Sequence, residues 1–108
     1  MSMYSQYVKE REGAETVELE TGFYSYKLED SCLFIVDLFV LPEFRSKKVG
    51  SEYGEQLEAI AKKNGKNVIL CAASLAAKNS EDAINFILSN GYKIINVTLS
   101  EIYFKKEL

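Results

Sequence analysis

Histidine and tryptophan are both absent from this sequence of 108 residues, which contains one proline and two cysteines. Without histidine the chain cannot build a Ser-His-Asp triad, a Cys-His dyad or a histidine-ligated metal centre, so general acid–base catalysis falls to other side chains. We therefore expect no bound metal. The chain has only two cysteines, Cys32 and Cys71, but many lysines, and this composition is typical of proteins in a reducing compartment. We therefore expect a cytoplasmic protein.

Long hydrophobic runs are also missing. The N-terminal residues lack the apolar core of a signal peptide, and the longest apolar stretch, residues 32–41, is interrupted by Asp37 and is too short to cross a bilayer. With 13 basic and 16 acidic residues the net charge is −3, which disfavours binding to nucleic acid or to an anionic membrane. The apolar fraction of 47% suits one folded domain over residues 1–108, as a monomer or a homodimer.

The first half of the sequence has the pattern of β-strands. Residues 16–20 alternate between apolar and acidic side chains, residues 23–28 follow a Thr-Gly turn, and residues 32–41 are apolar on both faces, as in a central strand. Three strands joined by short turns predict an antiparallel meander. The pattern also allows a preceding strand at residues 4–9.

Helices alternate with strands in the second half. Apolar side chains recur at helical spacing in residues 50–64 and again in residues 79–90, and an Asn-Gly pair marks the end of each segment. Residues 67–73 predict a buried strand between the helices, and residues 92–98 and 101–107 predict a closing hairpin. The order β-β-β-α-β-α-β-β indicates the α+β class, with a mixed, mostly antiparallel sheet.

The segment between the third strand and the first of these helices contains the candidate ligand-binding residues. A strand ends at Pro42, a basic loop with Arg45, Lys47 and Lys48 follows, and a helix begins at Gly50. The free N–H groups of a helix N-terminus favour phosphate, the three cations add to that preference, and the glycine lets a bound group approach the backbone. A solvated basic turn that caps the helix is the alternative. Neither a Walker nor a Rossmann glycine pattern is present.

This segment, Val40-Leu-Pro-Glu-Phe-Arg-Ser-Lys-Lys-Val-Gly-Ser, resembles the acetyl-CoA loop of the GCN5-related N-acetyltransferase (GNAT) family. The family pattern is Arg/Gln-x-x-Gly-x-Gly/Ala, preceded by Val-x-Pro-x-Tyr/Phe. Arg45 takes its first position and Gly50 its last, while Lys48 stands where the first glycine is usual. Residues 79–92 are similar to the family's Asn-x-x-Ala-x-x-Phe-Tyr-x-x-x-Gly-Phe helix. Because the N-terminal helices are missing or reduced, the chain looks like a minimal member, similar to small phage-encoded ones.

The resemblance implies acetyl-CoA as the cosubstrate. By it, the backbone of Phe39 and Val40 pairs with the pantetheine arm, the N–H groups of residues 47–51 hold the pyrophosphate, and the thioester lies where two central strands, residues 33–41 and 67–73, splay apart. Asn79 or Ser80 contacts the cofactor further along. The expected cofactor-binding residues are Phe39, Val40, Arg45, Ser46, Lys47, Lys48, Val49, Gly50, Ser51, Asn79 and Ser80.

The acid and base that the family often uses are not found at their usual positions, which hold Phe34 and Ile87 here. Asp37 is the candidate base, since it is the one ionisable residue in the central strand and a buried carboxylate suits that role; an Asp paired with a neighbouring cation is the alternative. Tyr92 is the candidate proton donor, with an ordinary sheet aromatic as the alternative, and we expect Cys71 to be a core thiol.

The resulting hypothesis is an acetyltransferase that moves the acetyl group of acetyl-CoA directly to an amine. The acceptor is a protein lysine, a protein N-terminus or a small amine, and the acidic remainder of the chain would attract it while it is cationic. Two alternatives stay open. One is a non-catalytic acyl-CoA-binding or protein-interaction module of the same fold, and the other is a structural domain with a basic turn.

Overall fold

A mixed six-stranded sheet lies between helices on its two faces. The computed structural model describes residues 2–78 and 80–108. In chain order the elements are α1 Met3–Glu12, β1 Glu15–Leu19, β2 Gly22–Leu28, β3 Leu33–Val40, a short 3-10 helix Pro42–Phe44, α2 Val49–Lys63, β4 Val68–Ser74, α3 Ser80–Ser89, β5 Lys93–Val97 and β6 Glu101–Glu107. No helix within these described ranges is long and apolar enough to cross a bilayer.

The strands lie in the order β1-β2-β3-β4-β6-β5, and each neighbouring pair is antiparallel except β3 with β4. The predicted α+β class, the three-stranded meander and the closing hairpin are confirmed. Strand alternation and helical stripes were sufficient evidence for these elements because most of them turn one face to the core; β5, in which every residue is exposed, is the exception.

Residues 4–9 belong to a helix, so the strand that the sequence allowed there is wrong. Ser2 caps α1 by accepting a hydrogen bond from the backbone N–H of Ser5 at 3.1 Å, and Gly13 ends the helix in the left-handed conformation, with φ 69°. The Ser5 hydroxyl donates to Oε2 of Glu18 in β1 at 2.9 Å. Capping and this docking contact on the sheet stabilise a segment whose own apolar stripe is weak.

Most of the core lies on the face of the sheet that carries α2 and α3. Ile69 packs in the cluster that includes the buried side of α2, while Cys71 and Ala73 pack against α3. Since alternate residues of a strand share a face, both helices lie on the same side. The opposite face carries α1, because Glu18 contacts that helix whereas its neighbour Val17 packs toward the α2 cluster.

The two central strands, β3 and β4, diverge next to a bulge in β3. The pairing of β2 with β3 shifts by one residue at Val36, which has no partner on β2. β3 pairs with β4 only at Leu33 and Phe34; residues 35–40 have no partner on β4, and residues 35–38 line the gap between the diverging strands. The predicted splay of these strands is confirmed, and the bulge gives its physical cause, because an extra residue bends the strand that contains it.

Candidate functional site

The loop before α2 contains two residues in the left-handed region, Ser46 with φ 64° and Lys48 with φ 65°. Residues other than glycine seldom adopt this conformation, which costs about 1–2 kcal/mol per residue. Lys48 occupies the position at which the family pattern has its first glycine, and its positive φ explains that pattern. In this chain a lysine accepts the same backbone conformation and adds a cation.

The N-terminus of α2 carries unsatisfied donors. Lys48 is its N-cap residue but makes no side-chain capping hydrogen bond, and the backbone N–H of Glu52 is the donor to the Lys48 carbonyl, at 3.1 Å. The N–H groups of residues 49–51 therefore have no acceptor inside the helix. Together with the helix dipole they form a position that favours an anion.

A cavity of about 490 Å³ opens at this helix terminus, between the end of β3 and α3. Of the expected cofactor residues, six line it: Val40, Arg45, Ser46, Lys48, Val49 and Gly50. Lys47 and Ser51 belong to the same loop and first helical turn but do not line the cavity. Asp82 of α3 does line it, which the sequence did not indicate, and its carboxylate faces the same space as the loop cations.

Arg45 is held against the end of β3. Its Nε donates to the carbonyl of Val40 at 2.9 Å, and its guanidinium lies 5.6 Å from the centre of the Phe39 ring. An arginine fixed by a stacked ring and a backbone acceptor loses little further freedom when its remaining N–H groups bind a phosphate.

The backbone prediction for Phe39 needs correction. The N–H of Leu41 donates to the carbonyl of Thr21 next to β2, and Phe39 is paired with Phe23 of that strand. Because successive peptide groups of a strand point to opposite edges, those of Phe39 also face β2. The peptide groups that face the gap are those of Val40 and its second neighbour along the strand, Leu38. Phe39 contributes its ring instead, which packs against the guanidinium of Arg45.

Gly50 has a second role beside the expected one, which stays a prediction. A Cβ built on it would lie 2.8 Å from Cζ and 3.0 Å from Cε1 of Phe86, closer than real carbon contacts allow. The close approach that requires glycine is therefore between α2 and the Phe86 ring of α3. Sequence analysis placed Phe86 in a helix but gave it no part in the site, although its ring lines both the loop cavity and the gap.

A second cavity, of about 380 Å³, lies between the splayed strands and is bounded by α3. It brings together Asp37, Ser80 and Tyr92, three residues that the sequence analysis singled out. Ile87 lines it too, whereas Phe34 does not. Leu38 and Phe86 border both this interstrand cavity and the loop cavity, so the two spaces adjoin. Asn79 lies outside the described residues.

Asp37 is exposed and, within the part of the chain that the structure describes, forms no ion pair, so the expected burial and the expected cation partner are both wrong, while its role as the base stays a prediction. Its side chain is exposed, and its Oδ2 accepts a hydrogen bond from the hydroxyl of Tyr4 at 2.9 Å. Burial raises the pKa of Tyr4 to about 12, with smaller contributions from the hydrogen bond and the charge of Asp37. The hydroxyl is therefore a proton donor throughout the neutral range.

Tyr92 and Cys71 stay protonated near neutral pH. Burial is the main cause that raises the pKa of Tyr92 well above its usual range, and burial raises the pKa of Cys71 to about 12. Cys71 is buried, as expected of a core thiol. Tyr103 of β6, another tyrosine of the sheet, donates to Oε1 of Glu101 at 3.1 Å and does not line the interstrand cavity.

An anion-favouring helix terminus lies beside two diverging parallel strands, with adjoining cavities at both, and this arrangement offers one extended ligand a continuous path. The family model of the acetyltransferase (GNAT) family matches residues 16–92, and the chain belongs to this family. The expected likeness to small phage-encoded members stays a prediction.

Solved structures share the fold. An N-acetyltransferase, PaiA, from Thermoplasma acidophilum, in complex with coenzyme A, is 23% identical, with a TM-score of 0.74 over 82% of this chain and 54% of its own. An acetyltransferase from Bacillus cereus is 26% identical, with a TM-score of 0.71 over 88% and 71%. A GNAT family acetyltransferase from Elizabethkingia anophelis with acetyl-CoA bound is 12% identical, with a TM-score of 0.77 over 98% and 82%.

The chain spans about half the length of the Thermoplasma protein. A sequence comparison with curated proteins finds no match.

Proposed function

We propose that this protein transfers the acetyl group of acetyl-CoA to an amine by direct attack. The observation that carries the proposal is the contact between the two cavities at Leu38 and Phe86. One extended ligand can run from the N-terminus of α2, where an anion is favoured, to the gap that contains Tyr92. A pyrophosphate joined to a flexible arm that ends in a thioester has this shape.

The residues proposed to hold the cofactor follow that path. The N–H groups of residues 49–51 and the side chains of Arg45 and Lys48 bind the pyrophosphate, each charge-assisted hydrogen bond contributing about 1.5–3 kcal/mol. The gap-facing peptide groups of Leu38 and Val40 pair with the pantetheine amides, and Ser80 borders the gap near the thioester. The parts assigned to Lys47, Ser51 and Asn79 stay predictions.

In the proposed reaction the amine nitrogen attacks the thioester carbonyl carbon. The C–N bond forms and the C–S bond breaks; the nitrogen gives up one proton to water, and the leaving thiolate takes one proton from water. Tyr92 donates a hydrogen bond to the developing thiolate rather than its proton, because its pKa lies far above that of an ordinary thiol. Tyr92→Phe should therefore lower kcat by about tenfold to a hundredfold, the equivalent of one hydrogen bond to a charged group, and leave the Kd of acetyl-CoA unchanged.

Binding and transfer are tested separately. Calorimetric titration with acetyl-CoA should give saturable binding, and ligand at 100 times Kd should raise the free energy of unfolding by about 2.7 kcal/mol. Lys48→Glu should weaken binding at least tenfold, whereas Lys47→Glu, outside the cavity, is the matched control and should have a smaller effect. Absence of binding at millimolar acetyl-CoA would overturn the proposal.

A non-catalytic acyl-CoA-binding module is the second candidate, and the apolar residues Phe34 and Ile87 at the family's usual catalytic positions favour it. Release of free CoA with a lysine peptide, a peptide N-terminus or a polyamine, confirmed by the mass of the acetylated product, decides between the two. Binding without release for any of these acceptors would establish the second candidate.

A further inference from the structure

A third cavity lies on the opposite face of the sheet, between α1 and β3. It has a volume of about 190 Å³, and its lining residues are Tyr4, Tyr7, Val8, Arg11, Glu12 and Asp37. Asp37 lines this α1 cavity and the interstrand cavity. Asp37 therefore lies between two cavities, one on each face of the sheet.

Tyr4 fixes the orientation of this carboxylate. Its hydroxyl donates to Oδ2 of Asp37 at 2.9 Å. Its ring lies 5.2 Å from the ring of Phe23, which in turn lies 5.6 Å from the ring of Phe39. A tyrosine held by a row of packed rings keeps its hydroxyl in one place. Tyr4 of α1 therefore fixes the direction in which Asp37 presents its other carboxylate oxygen, Oδ1.

The charge of Asp37 lacks a counterpart in the described residues. Within residues 2–78 and 80–108, no lysine or arginine nitrogen lies within 4.0 Å of its carboxylate. Arg11 lines the same cavity, but its Nη1 donates to the hydroxyl of Tyr7 at 2.6 Å and its guanidinium stacks 5.8 Å from that ring. Glu12 adds a second carboxylate. A cation suits this cavity better than an anion.

We propose that the acceptor is a primary alkylammonium group that enters from the α1 side and is held by the carboxylate of Asp37, with Tyr4 as the positioning residue. The inference rests on the proposed acetyl transfer and names its substrate class. A small, half-open cavity with an oriented carboxylate and two tyrosine rings fits the end of a lysine side chain or of a polyamine. The ammonium gives a proton to water before its nitrogen attacks the thioester. Asp37 therefore binds the acceptor but takes no part in bond formation.

Steady-state kinetics with spermidine and with a lysine peptide test this assignment. Asp37→Asn should raise KM for both amines by about tenfold to a hundredfold, the equivalent of one charged hydrogen bond, with kcat changed less and with the Kd of acetyl-CoA unchanged. Tyr4→Phe should raise KM by a smaller factor in the same direction. Asp30→Asn removes a carboxylate that does not line the cavity and serves as the matched control.

The competing outcomes are distinct. A fall in kcat with unchanged KM in Asp37→Asn would make Asp37 a group of the chemical step and would overturn the inference, as would KM values that do not change.

If acetyl-CoA binds but no amine is acetylated, the proposed function has failed, and direct titration still tests the α1 cavity. NMR titration with spermidine should then show binding that Asp37→Asn weakens and Asp30→Asn does not. Binding that Asp37→Asn leaves intact, or no binding at all, refutes the site.

Discussion

Alanine at Gly50 probes the contact that joins the cofactor loop to α3. The new Cβ would lie 2.8 Å from Cζ and 3.0 Å from Cε1 of Phe86. Ordinary carbon contacts lie at about 3.5–4.0 Å, so the ring has to retreat by about 0.7–1 Å. Overpacking of this kind costs about 1–3 kcal/mol, and the ring, 37% exposed, has room to move outward, which places the cost in the lower part of that range.

The helix itself gains from the same change. Replacing glycine by alanine inside a helix stabilises by about 0.5–1 kcal/mol. The net expectation for Gly50→Ala is therefore a loss of up to about 1.5 kcal/mol in the free energy of unfolding. With Phe86→Ala already in place the clash is absent, and the same substitution should now stabilise by about 0.5–1 kcal/mol. The sign of the effect depends on Phe86.

Urea unfolding followed by circular dichroism measures this double-mutant cycle. Gly54→Ala is the matched control, because Gly54 lies in the same helix and a Cβ there would meet nothing within 4 Å. It should stabilise by about 0.5–1 kcal/mol in both backgrounds. The reasoning is refuted if Gly50→Ala stabilises the wild-type protein as Gly54→Ala does, or if the effects of Gly50→Ala and Phe86→Ala add within about 0.5 kcal/mol.

Other consequences follow from the same geometry. Lys48→Gly relieves a side chain at φ 65° and should raise the free energy of unfolding by about 0.5–1 kcal/mol, whereas Lys47→Gly should lower it, as urea titrations can show. Asp82→Asn removes a carboxylate from the loop cavity, so calorimetry should find coenzyme A bound about two- to threefold more tightly, with less gain at high salt. The double variant Cys32→Ala/Cys71→Ala should keep its kcat in the CoA-release assay, because the buried Cys71 thiol, with a pKa of about 12, is no nucleophile at neutral pH; a loss of about a thousandfold would point to an acyl-enzyme.

Most of the fold could be predicted from local patterns in the sequence. The strands and the two later helices were predicted because apolar residues repeat at period 2 or 3.6 wherever an element buries one face. The cofactor loop was found because a proline, a cluster of cations and a helix start lie within residues 42–50, and the charge of such a cluster is visible without a structure. The splay of β3 from β4 came from the family resemblance alone.

The missed features are contacts between distant parts of the chain. Tyr4 and Asp37 are 33 positions apart, and only the docking of α1 on the sheet brings the hydroxyl to the carboxylate. Asp37 was expected to be buried because its strand is apolar on both faces, yet the bulge at Val36 and the gap beside it expose the side chain. The helix α1 was missed for a related reason, since its position depends on capping and on packing against β1 more than on its own apolar pattern.

For proton transfer, this chain has an apolar residue at each of the two positions where the family often has its acid and its base. Ile87 lines the interstrand cavity at the position where the family often has a tyrosine, and Phe34, at the position of the usual glutamate, is paired with β4 outside that cavity. A placed acid or base typically contributes about 10²–10⁴-fold, whereas positioning of two reactants contributes up to about 7–11 kcal/mol of the barrier. An enzyme that keeps the cofactor path and the acceptor carboxylate therefore retains the larger share of its rate enhancement. In the proposed arrangement the Asp37 carboxylate lies at the attacking nitrogen and the neutral Tyr92 hydroxyl donates a hydrogen bond at the leaving sulfur, so both sides of the carbonyl carbon are served while water carries the protons.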